Sequence, residues 1–584
     1  MLRKKRVKFV AITILSCLCI LVLRLINIQL ISTESYSKHH VNLLETSASQ
    51  RMQSIVLDDG RGKFYDRYGK LLNYEQVPAL ILFPFLKNMN WPIEKLADIL
   101  SVSVSQLKST FTEADEPFVY KVNGKPINLT SRQMEQINDL KIPGVYASFQ
   151  MIPSEQQLAS QLIGGLTHSD EEKRKRYQDR DDLQHIPIGD RGLQQRFDEF
   201  LLSQGESKLV YHVDGMGGPL FGLQVKYLSP GNPLHPVQVI TTLDVQMQQA
   251  AEDILNAHKV KKGGLLLIDI QSSEIRASAS RPNLDPKNPY NGEGAKNWML
   301  TQATVGSVFK TVVAAAAIQE GLVNTNHLYN CDVTIDGSVE ESRPLGMLNF
   351  SDSFAQSCNT TFAQLAVQIA EKDPLLLENY AKKLQLIGQS GWRGKLYHSD
   401  FWQLQSEEEG RVWLKDEYKT DKKLIAQTAI GQQDVQATPL AVANMMATIA
   451  RNGEGKMVKA VSRVQYANGT TVADFRDQNQ PGERISGATA RSLQQLLTKV
   501  VESGTGASLN SLPLTVAGKS GTAQTNVETG EINTWFAGYF PVEQPKYALV
   551  AVRLDSSQQT LHATSIFKEY VQKLSEIEAT QQSN

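Results

Sequence analysis

The sequence predicts an α+β chain carrying one membrane-crossing helix at its front. Two observations lead there. From Phe9 to Ile31 the chain runs 23 residues with a single charge, Arg24, directly behind five cations, Arg3, Lys4, Lys5, Arg6 and Lys8. Much later, strand-forming segments stand at both ends of the C-terminal half, with helix-forming segments between them. That order suggests one sheet assembled from distant parts of the chain. The 584 residues are 41% hydrophobic and 21% charged, ordinary values for a chain of two to four globular domains.

The elements follow in order. Residues 1–8 read as a cytoplasmic tail and 9–31 as the anchor, about 34 Å of helix against a hydrocarbon core of about 30 Å. Arg24 lies near the far end, where its side chain can reach the interface. Cations before an apolar run mark the cytoplasmic side, so the chain from residue 32 is expected outside. A cleaved signal peptide is the competing reading. The run is at the upper limit for one, and the small-residue site Ser47-Ala48-Ser49 is distant, so an uncleaved anchor is favoured. Residues 32–240 are mixed in texture, with a charge run at Asp170–Asp182 that reads as a solvated loop or helix end. Residues 241–578 form the second large region and 579–584 a tail. In it, Asp244–His258 reads as an amphipathic helix, and Gly264–Ile270 with Ile275–Ser280 as a β-hairpin across a polar turn. Leu514–Ala517, Trp535–Phe540 and Tyr547–Leu554 read as strands.

Charge and cysteine content exclude several classes. Sixty Lys and Arg against 61 Asp and Glu give a net −1. Without the first eight residues the balance is −6, so no polybasic surface for nucleic acid is expected. Four cysteines cannot build a disulfide scaffold or a Cys-rich metal array. Cys17 and Cys19 fall in the anchor. Cys331 and Cys358 can pair, but nothing in the sequence requires it, and two free buried thiols are the simpler expectation.

The chemistry begins at Ser307-Val-Phe-Lys310, ahead of an Ala-rich apolar helix that Gly321 can cap. A helix starting near Ser307 puts Ser307 and Lys310 on one face, one turn apart. A serine hydroxyl needs a base, and a lysine buried against an apolar helix loses enough basicity to serve. Alone the spacing means little: Ser35/Lys38 and Ser105/Lys108 repeat it, and an N-cap serine with a solvated lysine explains such pairs. Ser357-Cys-Asn359 lies 47 residues past Lys310 and before a helical stretch, where an N-cap and a turn asparagine are the plain reading; Ser508-Leu-Asn510 repeats it. Lys519-Ser520-Gly521-Thr522 follows the apolar LTVA, and a bulge glycine is its plain reading. The ordered set of all three is the signature of penicillin-binding proteins and serine β-lactamases.

Beyond these motifs the chain resembles the class B penicillin-binding proteins over roughly residues 50–555, the order of boxes being the family's. Arg61-Gly-Lys-Phe-Tyr-Asp-Arg-Tyr-Gly69 is similar to the box that opens the family's pedestal. Leu158–Gly164, Gly189–Asp198, Thr241–Asp244 with Gln246, Ala429–Gln432 with Thr438–Leu440, and Trp535–Gly538 match further boxes in order. The resemblance implies an anchored, elongated, dimerisation-type pedestal over 32–240. It implies a transpeptidase domain over 241–578, an antiparallel sheet flanked by helices. It also implies a serine D,D-transpeptidase that cross-links peptidoglycan stem peptides and is acylated by β-lactams. Catalytic roles would fall to Ser307, Lys310, Ser357, Asn359 and Lys519. Substrate binding would fall to Ser520, Gly521 and Thr522, and the oxyanion hole to the backbone N–H groups of Ser307 and Thr522. No metal or organic cofactor is implied. Implied partners are a separate glycan polymerase and division, elongation or sporulation proteins. The Gram-positive penicillin-binding protein 4B type is the subtype resembled.

Departures are few. Val305 stands where the family has proline, Tyr68 where it has asparagine and Ser520 where threonine is commoner; Gly388–Asp421 follows the pattern poorly. Two alternatives share the motifs. A membrane-bound β-lactamase or penicillin sensor lacks so long a pedestal or needs an H-E-x-x-H half that this sequence does not contain. A wall-synthesis scaffold with residual penicillin binding would not need the motif residues intact.

Overall fold

The computed structural model describes residues 2–37, 41–43, 46–47, 52–112, 114–178, 186–214, 218, 220, 225–339, 343–526, 528–557 and 562–583. Helix α1 (Leu2–Ile26) continues through a π-helical turn, Asn27–Ile31, and its apolar side chains are unburied. The apolar span Lys4–Ile31 is 28 residues, about 42 Å at 1.5 Å per residue. A helix apolar all round, with nothing packed on it, has the composition and length to cross a bilayer.

The rest divides into two compact units that do not follow the chain's halves. One comprises residues 1–60, 75–152 and 204–232; the other comprises 61–74, 153–203 and 233–584. In the first, strand Met52–Asp58 pairs antiparallel with Ser207–His212, which pairs in turn with Lys226–Leu228. A second sheet orders Phe118–Val119, Tyr74–Leu82 and Val145–Pro153. Its core gathers Phe83, Phe85 and Tyr211, with ring centroids 4.8 to 6.0 Å apart. Helices Val104–Thr110 and Ser131–Asp139 each start on a capping box, Ser103 with Gln106 and Thr130 with Gln133. The rival pair Ser105/Lys108 lies on the first of these, with Ser105 Oγ 3.0 Å from the capping Ser103 Oγ. It is helix-start chemistry. The other rival, Ser35/Lys38, includes a residue outside those described.

The second unit is built on a five-stranded antiparallel sheet. Helix α2 (Val245–Ala257) is capped by Asp244, whose carboxylate accepts from the N–H groups of Gln246 and Met247. Strands β1 (Gly263–Asp269) and β2 (Glu274–Arg281) follow as the expected hairpin. Then come helices α3 (Lys310–Gln319), α4 (Asn359–Lys372), α5 (Pro439–Ala450) and α6 (Gly487–Ser503). Strands β3 (Ala517–Asn526), β4 (Glu531–Phe540) and β5 (Tyr547–Ser556) close the sheet, and α7 (Ala563–Ser583) ends the chain. The strand order is β2-β1-β5-β4-β3, every pair antiparallel.

The sheet is covered on both faces, which explains the unbroken apolar run Gly264–Ile268. Leu265 and Leu267 pack with Ile254, Phe567 and Tyr570 of α2 and α7. Leu266 and Ile268 face the other way, into a core shared with α3 to α6. Helices α3 and α5 are buried on nearly all sides, as their uniformly apolar sequences require. One strand expected at Leu514–Ala517 is displaced: β3 begins at Ala517 and carries the polar Lys519–Thr522 within it. It is the edge of the sheet, so one side of the strand need not be apolar. The charge run forms helix Asp170–Arg176 with Lys173 buried, and Asp179–Asp182 lie outside the described residues.

Candidate active site

Three chain segments meet where β3 passes the start of α3. Residues Gly306–Phe309 make a 3₁₀ turn that runs into α3 at Lys310, so Ser307 and Lys310 are one turn apart, as the spacing predicted. The turn is held by close backbone approaches that exclude side chains. Gly306 has φ +57°, and a Cβ on it would stand 2.2 Å from Thr522 O. A Cβ on Gly431 would stand 1.8 Å from Gly306 O, while Gly306 N–H donates to Gly431 O at 3.0 Å. A Cβ on Gly521 would meet Val305 O at 2.6 Å. The glycines of the Ala429–Gln432 and Lys519–Thr522 boxes are there so that backbone can reach backbone. Trp535 Nε1 donates to Thr304 O at 3.0 Å and so fixes the segment entering the turn.

Lys310 is 0% exposed. Its Nζ bonds to Ser357 O at 2.7 Å, Ser357 Oγ at 3.1 Å and Asn359 Oδ1 at 2.7 Å. Lys519, also 0% exposed, bonds from the other side to Ser357 Oγ at 3.0 Å and to Ser520 O at 3.0 Å. One hydroxyl therefore lies between two amines. Among the described residues neither lysine forms an ion pair. Burial pushes Lys310 well below the usual lysine range, and the Lys519 and Arg343 charges push the same way. Burial, then Arg343, brings Lys519 down to about 7. Phe362 and Phe354 stand 5.8 Å from the respective ammonium nitrogens and offset part of the desolvation.

The remaining residues border this cluster. Ser307 is half-buried, and among the described residues its hydroxyl has no hydrogen-bond partner. Thr522 is exposed and its backbone lies against Gly306. Ser520 Oγ is 2.7 Å from Thr505 Oγ1. The second S-x-N, Ser508-Leu-Asn510, lies apart: Asn510 caps Glu502 O on the surface.

One expectation is corrected here. Cys331 and Cys358 form a disulfide, Cα atoms 5.7 Å apart, rather than two free thiols. A two-strand ladder of Tyr329–Asn330 with Met347–Leu348 folds the intervening chain back and brings them together, a closure that sequence separation alone does not reveal.

The penicillin-binding protein transpeptidase domain family matches residues 263–572, more than half of the chain, and the penicillin-binding protein dimerisation domain matches 58–236. The chain belongs to the class B penicillin-binding proteins. It is a serine-type peptidoglycan D,D-transpeptidase, similar to three curated relatives of that name. PbpA of Mycobacterium tuberculosis is 24% identical over 63% of this chain and 77% of its own length. MrdA of Acinetobacter baumannii is 23% identical over 94% and 84%. FtsI of Escherichia coli K12 is 23% identical over 86% and 80%. Penicillin Binding Protein 2X from Streptococcus thermophilus shares the fold at TM-score 0.63 and 19% identity, covering 90% of this chain and 80% of its own. A chain from a structure titled as a peptidoglycan synthase complex superposes at TM-score 0.65 and 22% identity, covering 97% and 98%.

Two residues of this penicillin-binding protein's site escape sequence reasoning. Arg343 lies in the loop before Ser357 and donates to Gln356 at 2.9 Å. Thr505 reaches Ser520 from the turn after α6, where Gly504 packs so closely that a Cβ would meet Ala355 O at 2.2 Å. The tight Ser503-Gly-Thr-Gly506 turn was the available signal for Thr505; nothing local marks Arg343. A cavity of about 960 Å³ also exists in this unit, bordered by Arg393, Arg411 and Trp413 and away from all three motifs. It lies in the segment that departs from the family pattern.

Proposed function

We propose that Ser307 attacks the carbonyl of the penultimate D-alanine of a stem peptide, expels the terminal D-alanine, and passes the acyl group to an amine of a neighbouring stem. The observation that carries this reading is the unpaired, fully buried ammonium pair around Ser357 Oγ. Burial has lowered the basicity of Lys310, which favours a neutral amine able to accept a proton, so Lys310 takes the Ser307 proton. Ser357, with one proton between two nitrogens, relays it toward the leaving amine. Asn359 orients Lys310 and bonds the substrate amide. Lys519 supplies positive potential, and Ser520 and Thr522 offer hydroxyls to the terminal carboxylate, with Gly521 keeping β3 close to the turn. The Ser307 and Thr522 N–H groups serve as the oxyanion hole, a reading supported by the close approach of the Thr522 backbone to Gly306. Two carbonyl-stabilising donors of this kind lower acyl-transfer barriers by about 3 kcal/mol each. β-Lactams acylate the same serine. Labelling with a fluorescent penicillin tests the assignment: wild type is expected to label and Ser307→Ala to give no adduct. An alanine variant that labels equally removes the nucleophile from this account.

The anchor places residues 1–8 in the cytoplasm and the enzyme outside. The five leading cations support that orientation, and so does the disulfide, since such bonds persist in oxidising compartments. Protease added to intact spheroplasts is expected to digest the chain beyond residue 31; full protection reverses the topology. The accessory 4B-type role and a separate glycan polymerase rest on the resemblance and on the whole-chain likeness to a member of a synthase complex.

A further inference from the structure

The disulfide occupies a position the reaction scheme does not use. Cys358 is the middle residue of Ser357-Cys-Asn359, and both neighbours bond to Lys310 Nζ. Ser357 holds a left-handed φ of +59°, a conformation a non-glycine residue keeps only when its surroundings impose it. Cys358 stands at the N-cap of α4 without its side chain accepting from the helix's backbone N–H groups, and its sulfur makes the cross-link instead. Its N–H donates to Ser353 O at 2.8 Å. At the other end, Cys331 N–H donates to Gly346 O at 2.9 Å, next to the Tyr329–Asn330 ladder. Both cysteines are buried, and Thr361 Oγ1 stands 3.2 Å from Cys358 Sγ. The stretch so closed, its ends 27 residues apart, also carries Arg343, which donates to Gln356 beside Ser357 and whose charge acts on both lysines. The bond thus ties down, at one point, the Ser357 hydroxyl, the Asn359 amide and the loop of Arg343.

We infer that Cys331–Cys358 is a positioning cross-link for acyl transfer: it holds Ser357 and Asn359 on Lys310, and opening it slows acylation of Ser307 in a chain that stays folded. The inference rests on the reading of Lys310 as the base. Opening is a balanced two-electron exchange with a dithiol: the protein disulfide gains two electrons and two protons and becomes two thiols, and the dithiol becomes a cyclic disulfide. The cross-link touches no substrate atom, so its effect belongs to the chemical step rather than to ligand capture.

The test uses the full chain in detergent, with a fluorescent penicillin as probe, and separates the non-covalent dissociation constant from the acylation rate constant. Enzyme is compared as isolated, after dithiothreitol, and after reoxidation. Alkylation and mass measurement must show two thiols beyond Cys17 and Cys19 in the reduced form. The expected result is an acylation constant about tenfold lower on reduction, a dissociation constant within about twofold, and full recovery on reoxidation. The paired variant Cys331→Ser/Cys358→Ser is expected to be slow and indifferent to the dithiol. Reduced enzyme that acylates at the oxidised rate overturns the proposal. So does a rate that vanishes together with the near-ultraviolet circular dichroism, because the bond would then be only a structural staple. Ser307→Ala in the same series reports separately on the nucleophile: labelling of that variant sinks the catalytic reading, whatever the dithiol does.

Discussion

Two sets of charged motif residues are buried to the same depth in this molecule and are treated in opposite ways. Arg61 and Asp198 are 1% and 2% exposed, and their charges are matched at 2.7 Å. Gln194 Oε1 accepts twice from the guanidinium, and the Asp198 carboxylate also takes Gly189 N–H at 2.8 Å and Tyr177 O–H at 2.8 Å. Every nitrogen of the Arg61 guanidinium and both oxygens of the Asp198 carboxylate have a hydrogen-bond partner, the condition under which a buried ion pair is tolerable. Lys310 and Lys519 are both 0% exposed and face each other across one serine, and among the described residues no carboxylate pairs with either. There the same burial is met by hydrogen bonds and ring faces but by no opposite charge, and it appears as lost basicity. The first set joins distant boxes, Arg61 to Gly189–Asp198, within one unit. On the proposed mechanism, the second keeps a lysine able to take a proton. A buried charge matched by an opposite one is then structural in this fold, and a buried charge with no counter-ion among the described residues is chemical.

That contrast can be broken by a pair of variants read in both stability and rate. Lys310→Met keeps the volume and removes the ammonium. It is expected to cut penicillin acylation by about a thousandfold while moving the melting temperature little. Asp198→Ala leaves Arg61 and Arg176 facing an empty site. It is expected to cost about 3–5 kcal/mol of unfolding free energy, with acylation per folded molecule unchanged. Thermal melts and labelling time courses on both proteins decide the matter. An Asp198→Ala enzyme of normal stability, or a Lys310→Met enzyme of normal rate, erases the distinction.

The chemical set was more legible in the sequence than the structural one, for a physical reason. Ser307 and Lys310 share one helical turn, Ser357 and Asn359 are two apart, and Lys519–Thr522 is contiguous, so local spacing preserves the chemistry. The hairpin of β1 and β2 was equally plain, because a polar turn separates two apolar runs. Arg343 and the Cys331–Cys358 bond enter the site through loop closures of tens of residues, of which local pattern carries no trace, and Thr505 is marked only by its Gly-Thr-Gly turn. The true span of β3 was missed because an edge strand facing a site is polar, and polarity reads as loop. The division of the chain into units was also hidden. Residues 61–74 and 153–203, which look like the continuation of the preceding region, pack with the transpeptidase sheet through bonds such as Gln161 Nε2 to Pro282 O at 3.0 Å.

A smaller effect sharpens the comparison within the lysine pair itself. Both nitrogens have lost basicity to burial, yet the roles proposed for them require opposite states. Lys310 must be neutral to accept a proton, so the active fraction grows as pH rises through its lowered pKa. Lys519 must be charged to hold a carboxylate, and it loses its proton as pH rises past about 7. Acylation is therefore expected to follow a bell, rising on the acid side with Lys310 and falling on the alkaline side with Lys519. Because Ser357 Oγ bridges the two at 3.1 and 3.0 Å, the limbs belong to the pair as a unit. Lys519→Arg keeps its charge throughout the range. It is expected to cost about tenfold in rate at the optimum, since the guanidinium fork cannot occupy the same point between Ser357 and Ser520. Its alkaline limb is expected to disappear while the acid limb stays. Acylation constants measured from pH 5 to 10 check this; an unchanged alkaline limb in the arginine enzyme would assign that limb to a different group.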